Sequence, residues 1–131
     1  MISVQFPSEA VYQGDLILVN REYSHRVDQS NRLTYIQDDV QLNDQAARML
    51  TQLLDQIGGW NQIVPVSGWR SGEEQQRIWD DTLAEHGTLF TETYVAVPGH
   101  SEHETGLAID LGLRKDVVDF LCPDFPYTGI C

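Results

Sequence analysis

From Asp38 onward, apolar residues recur at helical spacing: Val40, Leu42, Ala46, Ala47, Met49, Leu50, Leu53, Leu54 and Ile57. Two acids open this stretch and Gly58-Gly59 closes it, which predicts a helix from Asp38 to the glycine pair. Upstream, the brief apolar run in Gly14–Asn20 is bounded by turn formers and predicts a short strand at a sheet edge. It leads into a polar loop from Arg21 to Asn31. Ile63-Val-Pro-Val66 predicts another short strand, and Gly72-Glu73-Glu74 opens a second helix that reaches about Glu85 before His86-Gly87 ends it. Arg70 therefore falls at a strand-to-helix junction. Thr88–Val97 suggests a loop with some strand character, Pro98-Gly99 a turn, and Leu107–Gly112 a strand with Ala108 and Asp110 on one face.

Mixed strands and helices of this kind suggest an α+β domain. At 131 residues the chain has the size of a single domain, 1–131, able to bury a core without disulfides. Its 41% hydrophobic and 21% charged residues are ordinary for a globular protein and exclude a disordered or fibrous one. Charge narrows the partners. With 20 Asp and Glu against 8 Lys and Arg, the net charge of -12 repels nucleic acid and anionic membranes, leaving a small or locally polar substrate as the better fit. Met1–Asn20 has no basic segment followed by a long apolar run, so the expectation is a cytoplasmic protein without a membrane anchor. Cys122 and Cys131 flank a Pro-containing turn. Two free thiols are the simplest reading in a reducing cytosol, and zinc ligation is disfavoured because structural sites use closely spaced cysteine pairs.

The stretch Gly99-His-Ser-Glu-His-Glu-Thr-Gly-Leu-Ala-Ile-Asp110 concentrates the chemistry. His103 can come from a loop and Asp110 from the strand behind it, with Gly106 allowing a tight bend and Ala108 leaving room for an ion. An imidazole and a carboxylate suit hydrolytic zinc, although one His and one Asp by spacing alone are a weak signal. His25, His86 and His100 read as structural or solvated, and His86 suits the C-terminal end of a helix.

Ser101-x-His103-x-x-Gly106-x-Ala108-x-Asp110 resembles the signature of the VanY/VanX-type D,D-carboxypeptidases and D,D-dipeptidases. Ser67-Gly68-Trp69-Arg70-Ser71, followed by Gln75, is similar to that family's Ser-Gly-Tyr-Arg-Ser…Gln stretch, with Trp69 in the Tyr position. The resemblance covers roughly Ile63 to Gly112. It implies a small antiparallel sheet with helices packed on it and a zinc site at the sheet, as in the hedgehog/D,D-peptidase type of fold. It further implies that His103 and Asp110 bind Zn2+, that Arg70 is the catalytic arginine at the oxyanion, and that Gln75 and Ser101 contact substrate. The implied substrate is D-Ala-D-Ala or a peptidoglycan-precursor peptide, with a link to vancomycin resistance and most likeness to the cytoplasmic VanXY type.

The family's general-base glutamate and second zinc histidine have no counterpart. After Asp110 the only acids are Asp116, Asp119 and Asp124, and no histidine follows. Two ligands hold zinc weakly, so the expectation is a domain truncated at its C-terminus, or completed by a segment on another chain, and inactive by itself. Glu102 and Glu104 beside His103 read as exposed loop acids rather than bases. The rival readings are an L,D-carboxypeptidase, a non-catalytic peptidoglycan-binding relative, and a metal sensor that uses the cysteines.

Overall fold

The structure, a computed structural model, describes residues 1–5, 7–12, 17–26 and 31–114. Its first ribbon replaces the front of the predicted long helix. Leu33–Gln37 (β1) and Val40–Asn43 (β2) pair antiparallel, with Leu33 opposite Asn43 and Tyr35 opposite Gln41. The two acids expected to start a helix form the hairpin turn, and Asp38 takes a left-handed φ of 50°, which a short polar side chain tolerates. Val40 and Leu42 fit a period of two as well as a helical one, and burial of Leu42 in the core selects the strand. The helix itself, α1, runs Asp44–Asp55. Asn43 caps it, its side-chain oxygen accepting from the N–H groups of Gln45 (3.0 Å) and Ala46 (3.3 Å). Ala47 and Leu54 point into the core with Val19, Leu42 and Ile63.

The second ribbon joins Ile63–Ser67 (β3) to Asp110–Leu113 (β4), antiparallel, with Ile63 opposite Leu113 and Ser67 opposite Asp110. Between them in sequence lie α2, Gly72–His86, and α3, Thr88–Tyr94. The α+β class holds, with the sheet divided into two two-stranded ribbons. α2 opens with a capping box in which Ser71 and Glu74 satisfy each other's backbone N–H groups. The expected loop at Thr88–Val97 is instead largely α3. Gly87, with φ 80°, breaks α2 and lets the chain re-enter a helix. His86, Phe90 and Tyr94 then stack at helical spacing, each pair with ring centroids 4.6 Å apart. β4 also starts later than predicted. Leu107–Ile109 stay outside the ladder because the N–H of Leu107 donates to the Thr105 hydroxyl (3.0 Å), just past the left-handed Gly106. Residues 17–20 of the proposed N-terminal strand are not in a strand; the rest of that segment, and both cysteines, lie outside the described residues.

The ribbons meet at Gly68. The Trp69 N–H donates to the Gln41 carbonyl of β2 at 2.6 Å, so the backbone leaving β3 lies directly on β2. A methyl group on Gly68 would collide with that same carbonyl oxygen and come within 2.7 Å of Val40 Cγ1. A second tie runs from the hairpin to the turn after His103. The Asn43 N–H donates to the Gly106 carbonyl (2.8 Å), and the Asn43 amide donates to Asn31 Oδ1 (2.8 Å), whose own amide donates to the Thr105 carbonyl (2.9 Å). Gly68→Ala is expected to destabilise the chain by about 1–3 kcal/mol through overpacking against backbone. Asn43→Ala should cost about 1 kcal/mol for the helix cap alone, and more because Asn31 also loses its partner. Urea unfolding of the two variants beside the parent measures both, and a Gly68→Ala midpoint equal to the parent's would refute the close packing.

Candidate metal and peptide site

The loop after α3 and the junction after β3 face each other across a cleft of about 430 Å³. Arg70, Gln75, Ser101, His103 and Asp110, drawn from two motifs far apart in sequence, all line it. His103 belongs to a short 3-10 turn, Glu102–Thr105, and Asp110 opens β4. Loop and strand thus supply them as the spacing suggested.

His103 Nδ1 lies 2.8 Å from the Gly68 carbonyl oxygen, and Nε2 lies 3.3 Å from Asp110 Oδ2. A carbonyl oxygen can only accept, so Nδ1 carries a proton and Nε2 is the ring atom that meets the carboxylate oxygen. An imidazole nitrogen and a carboxylate oxygen this close share a proton or a cation. The spacing also fits a metal: two donors at about 2.0–2.1 Å from zinc, at the tetrahedral angle, stand roughly 3.3–3.4 Å apart. The backbone carbonyl behind the imidazole is the usual outer partner of a metal-bound histidine. His103 is only 15% exposed, whereas Asp110 is 57% exposed and open to the cleft. Among the described residues, no group of three His, Cys, Asp or Glu could hold a metal ion, so the pair fits two positions of a zinc site and the third is not in view.

Arg70 is held by neutral groups. Nη1 donates to Gln75 Oε1 (2.8 Å) and Nη2 to Ser67 Oγ (2.7 Å), so the guanidinium is oriented by neutral acceptors and, among the described residues, forms no ion pair. Gln75, 1% exposed, also donates through Nε2 to the Ala96 carbonyl (2.7 Å), and thereby fixes Arg70 against the segment that precedes the His103 turn. The Arg70 N–H donates to the His103 carbonyl (3.1 Å), which ties the two motifs together through backbone. Ser101 is buried at the cleft wall, its N–H donating to Glu104 Oε2 (3.1 Å).

Glu104 departs from its expected place. It is a buried carboxylate, not an exposed loop acid, and it accepts from the N–H groups of Gly99 (2.9 Å) and Ser101 (3.1 Å). The 3-10 turn carries its carboxylate inward, where it replaces water on two backbone donors. Glu102 stays exposed, as expected, and lines the cleft. His100 also reaches this cleft, with Nδ1 2.7 Å from the Asn20 carbonyl oxygen, as does Arg21. No local pattern in Asn20–Tyr23 points to a site; only the tertiary contacts bring that segment there. His86 ends α2 as predicted.

Known proteins resemble this chain in sequence and in fold. The D-alanyl-D-alanine carboxypeptidase family, VanY, matches residues 39–124. VanXYC of Enterococcus gallinarum, a bifunctional D-Ala-D-Ala dipeptidase and carboxypeptidase, is 42% identical over 88 residues, 66% of this chain and 46% of its own length. Among solved structures, the vancomycin-resistance D,D-dipeptidase VanXYg, in complex with a D-Ala-D-Ala phosphinate analogue, superposes with a TM-score of 0.83. It is 47% identical, over 94% of this chain and 50% of that one. The D,D-pentapeptidase VanY of a VanB-type resistance cassette, in complex with Zn(II), gives a TM-score of 0.67 at 31% identity, over 76% of this chain and 61% of that one. The chain spans about half the length of the curated relatives it matches. The match across both motifs and the fold that carries them place the chain in the VanY family of D-alanyl-D-alanine carboxypeptidases.

Proposed function

We propose that this cleft is the zinc- and peptide-binding part of a D,D-peptidase that removes D-alanine from D-Ala-D-Ala or from the end of a peptidoglycan-precursor peptide, an activity linked to vancomycin resistance. The observation that carries the reading is the His103–Asp110 pair, an imidazole nitrogen and a carboxylate oxygen 3.3 Å apart, beside an arginine clamped by neutral acceptors. Relatives described as D,D-peptidases, one of them complexed with Zn(II), support it. His103 and Asp110 would hold the zinc, which when bound polarises a scissile carbonyl and lowers the pKa of water to about 7.

Arg70 stabilises the negative charge that develops on the carbonyl oxygen, with the guanidinium already oriented and needing no rearrangement. Gln75 acts on the substrate through Arg70, since its amide oxygen holds that guanidinium and its amide nitrogen anchors to Ala96. Ser101 positions the peptide from the opposite wall. Catalysis also needs a third protein ligand and a general base, which the described residues do not contain. Asp116, Asp119 and Asp124 lie outside them, and no histidine follows His103 in the sequence.

Zinc titrated into the 131-residue chain is expected to shift the His103 ring resonances but to bind weakly, so that elemental analysis after dialysis finds well under one zinc per chain. His103→Ala or Asp110→Ala should abolish the shift, and a variant that binds zinc as the parent does would end the ligand assignment. In a form that contains the third ligand and the base, both substitutions should also abolish D-alanine release. There, Gln75→Ala should leave zinc affinity unchanged while kcat falls about a hundredfold through misplacement of Arg70. An unchanged kcat would remove Gln75 from the Arg70 support.

A further inference from the structure

His103 lies between two glutamates with opposite fates. Glu102 is exposed, whereas Glu104 is 6% exposed and is the one carboxylate buried among the described residues. Taking a carboxylate out of water is unfavourable unless fixed donors replace the lost hydration. The cleft chemistry does not explain this burial, because Ser101, Glu102 and His103 line the cleft and Glu104 does not. It works from behind the wall.

Two halves of the site meet on this carboxylate. Oε2 accepts from the N–H groups of Gly99 (2.9 Å) and Ser101 (3.1 Å), which gathers the chain leading into His103. The Glu104 N–H donates to the Ser101 carbonyl (3.1 Å) and closes the turn on itself. Oε1 faces the start of α2, where a methyl group on Gly72 would lie 3.3 Å from it, so the carboxylate packs against the first residue of that helix. The N-terminal end of a helix favours a negative charge. Arg70 precedes Gly72 closely in sequence and Gln75 follows it closely, so the same helix start places both. Glu104 therefore bridges the turn that carries His103 and the junction that carries Arg70, beside the backbone bond from the Arg70 N–H to the His103 carbonyl (3.1 Å).

We propose that Glu104 is a positioning residue, which sets the His103 ring for zinc by fixing the turn against the start of α2 and touches neither metal nor substrate itself. This rests on the peptidase reading above and adds a rule to it: what position 104 supplies is reach, not charge. Gly99 and Ser101 converge on one oxygen, so a glutamine amide oxygen in the same place accepts from both N–H groups. Aspartate keeps the charge but is shorter by one C–C bond, about 1.5 Å. It cannot hold the two N–H groups and stay against Gly72, and the turn has to shift.

The test uses the 131-residue chain with two NMR readouts: zinc affinity from titration of the His103 ring resonances, and the ring nitrogen shifts of the zinc-free chain, which report whether Nδ1 keeps its proton against the Gly68 carbonyl. Glu104→Asp should weaken zinc about tenfold, the scale on which the outer partners of a metal ligand act, and should mix the two ring tautomers. Glu104→Gln should leave both readouts near the parent's. Each is read on the folded chain, so a loss of stability alone moves the urea midpoint and neither of them. The inference is overturned if Glu104→Asp binds zinc as the parent does, or if Glu104→Gln loses as much as Glu104→Asp, which would make the role one of charge. Should Glu104→Asp not fold, Glu104→Gln decides: parent-like zinc affinity and tautomer support the inference, and loss of either overturns it. A parent whose His103 gives no response to zinc would instead overturn the peptidase reading, and the tautomer comparison would then judge Glu104 by itself.

Discussion

The contact on which the site depends is the one at Gly68, where three requirements meet within a single residue. The backbone there must lie against β2 closely enough for Trp69 to donate to the Gln41 carbonyl, which leaves no room for a side chain. The Gly68 carbonyl must at the same time face the imidazole of His103 and set which ring nitrogen carries the proton. Two residues further along, Arg70 must leave the junction toward the same cleft. Moving this strand end would displace the ribbon packing, the histidine tautomer and the arginine together. The Ser-Gly-Trp-Arg-Ser motif is therefore a structural unit whose glycine is as much a part of the site as its arginine.

The arginines of the cleft are oriented by neutral acceptors. Ser67 and Gln75 hold Arg70, and a backbone carbonyl holds Arg21. Had Glu stood at position 75, a buried ion pair would have neutralised the charge of Arg70. Asp110, by contrast, stands open 3.3 Å from an imidazole nitrogen. A proton or a divalent ion between the two atoms makes that approach favourable.

The sequence disclosed which residues meet at the cleft more completely than the path of the chain. His103, Asp110, Arg70, Gln75 and Ser101 were legible as candidates and do line one cleft, because each motif couples its polar side chain to a local backbone demand: a glycine, a cap or a strand start. The errors fall where two periodicities coincide or where tertiary contact decides. Val40 and Leu42 satisfy a strand and a helix equally, and only the pairing with β1 and the cap at Asn43 separate them. The α3 segment is rich in Thr and aromatic residues that favour strands, yet the His86–Phe90–Tyr94 stack and the hydroxyl bonds of Thr91 and Thr93 to carbonyls one turn back hold it helical. Glu104 looked solvated because acids on loops usually are, and nothing local reveals that Gly99 and Ser101 present N–H groups to it.

Glu104 also explains how a loop can place His103 with the precision of a strand. The turn from Gly99 to Gly106 has no ladder to fix it, yet a buried carboxylate gathers two of its N–H groups, Arg70 binds the His103 carbonyl, and Asn43 binds the Gly106 carbonyl. Each of these bonds comes from a different part of the chain: the turn itself, the β3–α2 junction and the cap of α1. His103 thus occupies a point defined from three directions, while Asp110 is set by pairing with Ser67 at the edge of the second ribbon. The separation of the two donors is a consequence of the fold and does not await a metal to create it. The ordering cost of His103, Asp110 and Arg70 is therefore met during folding.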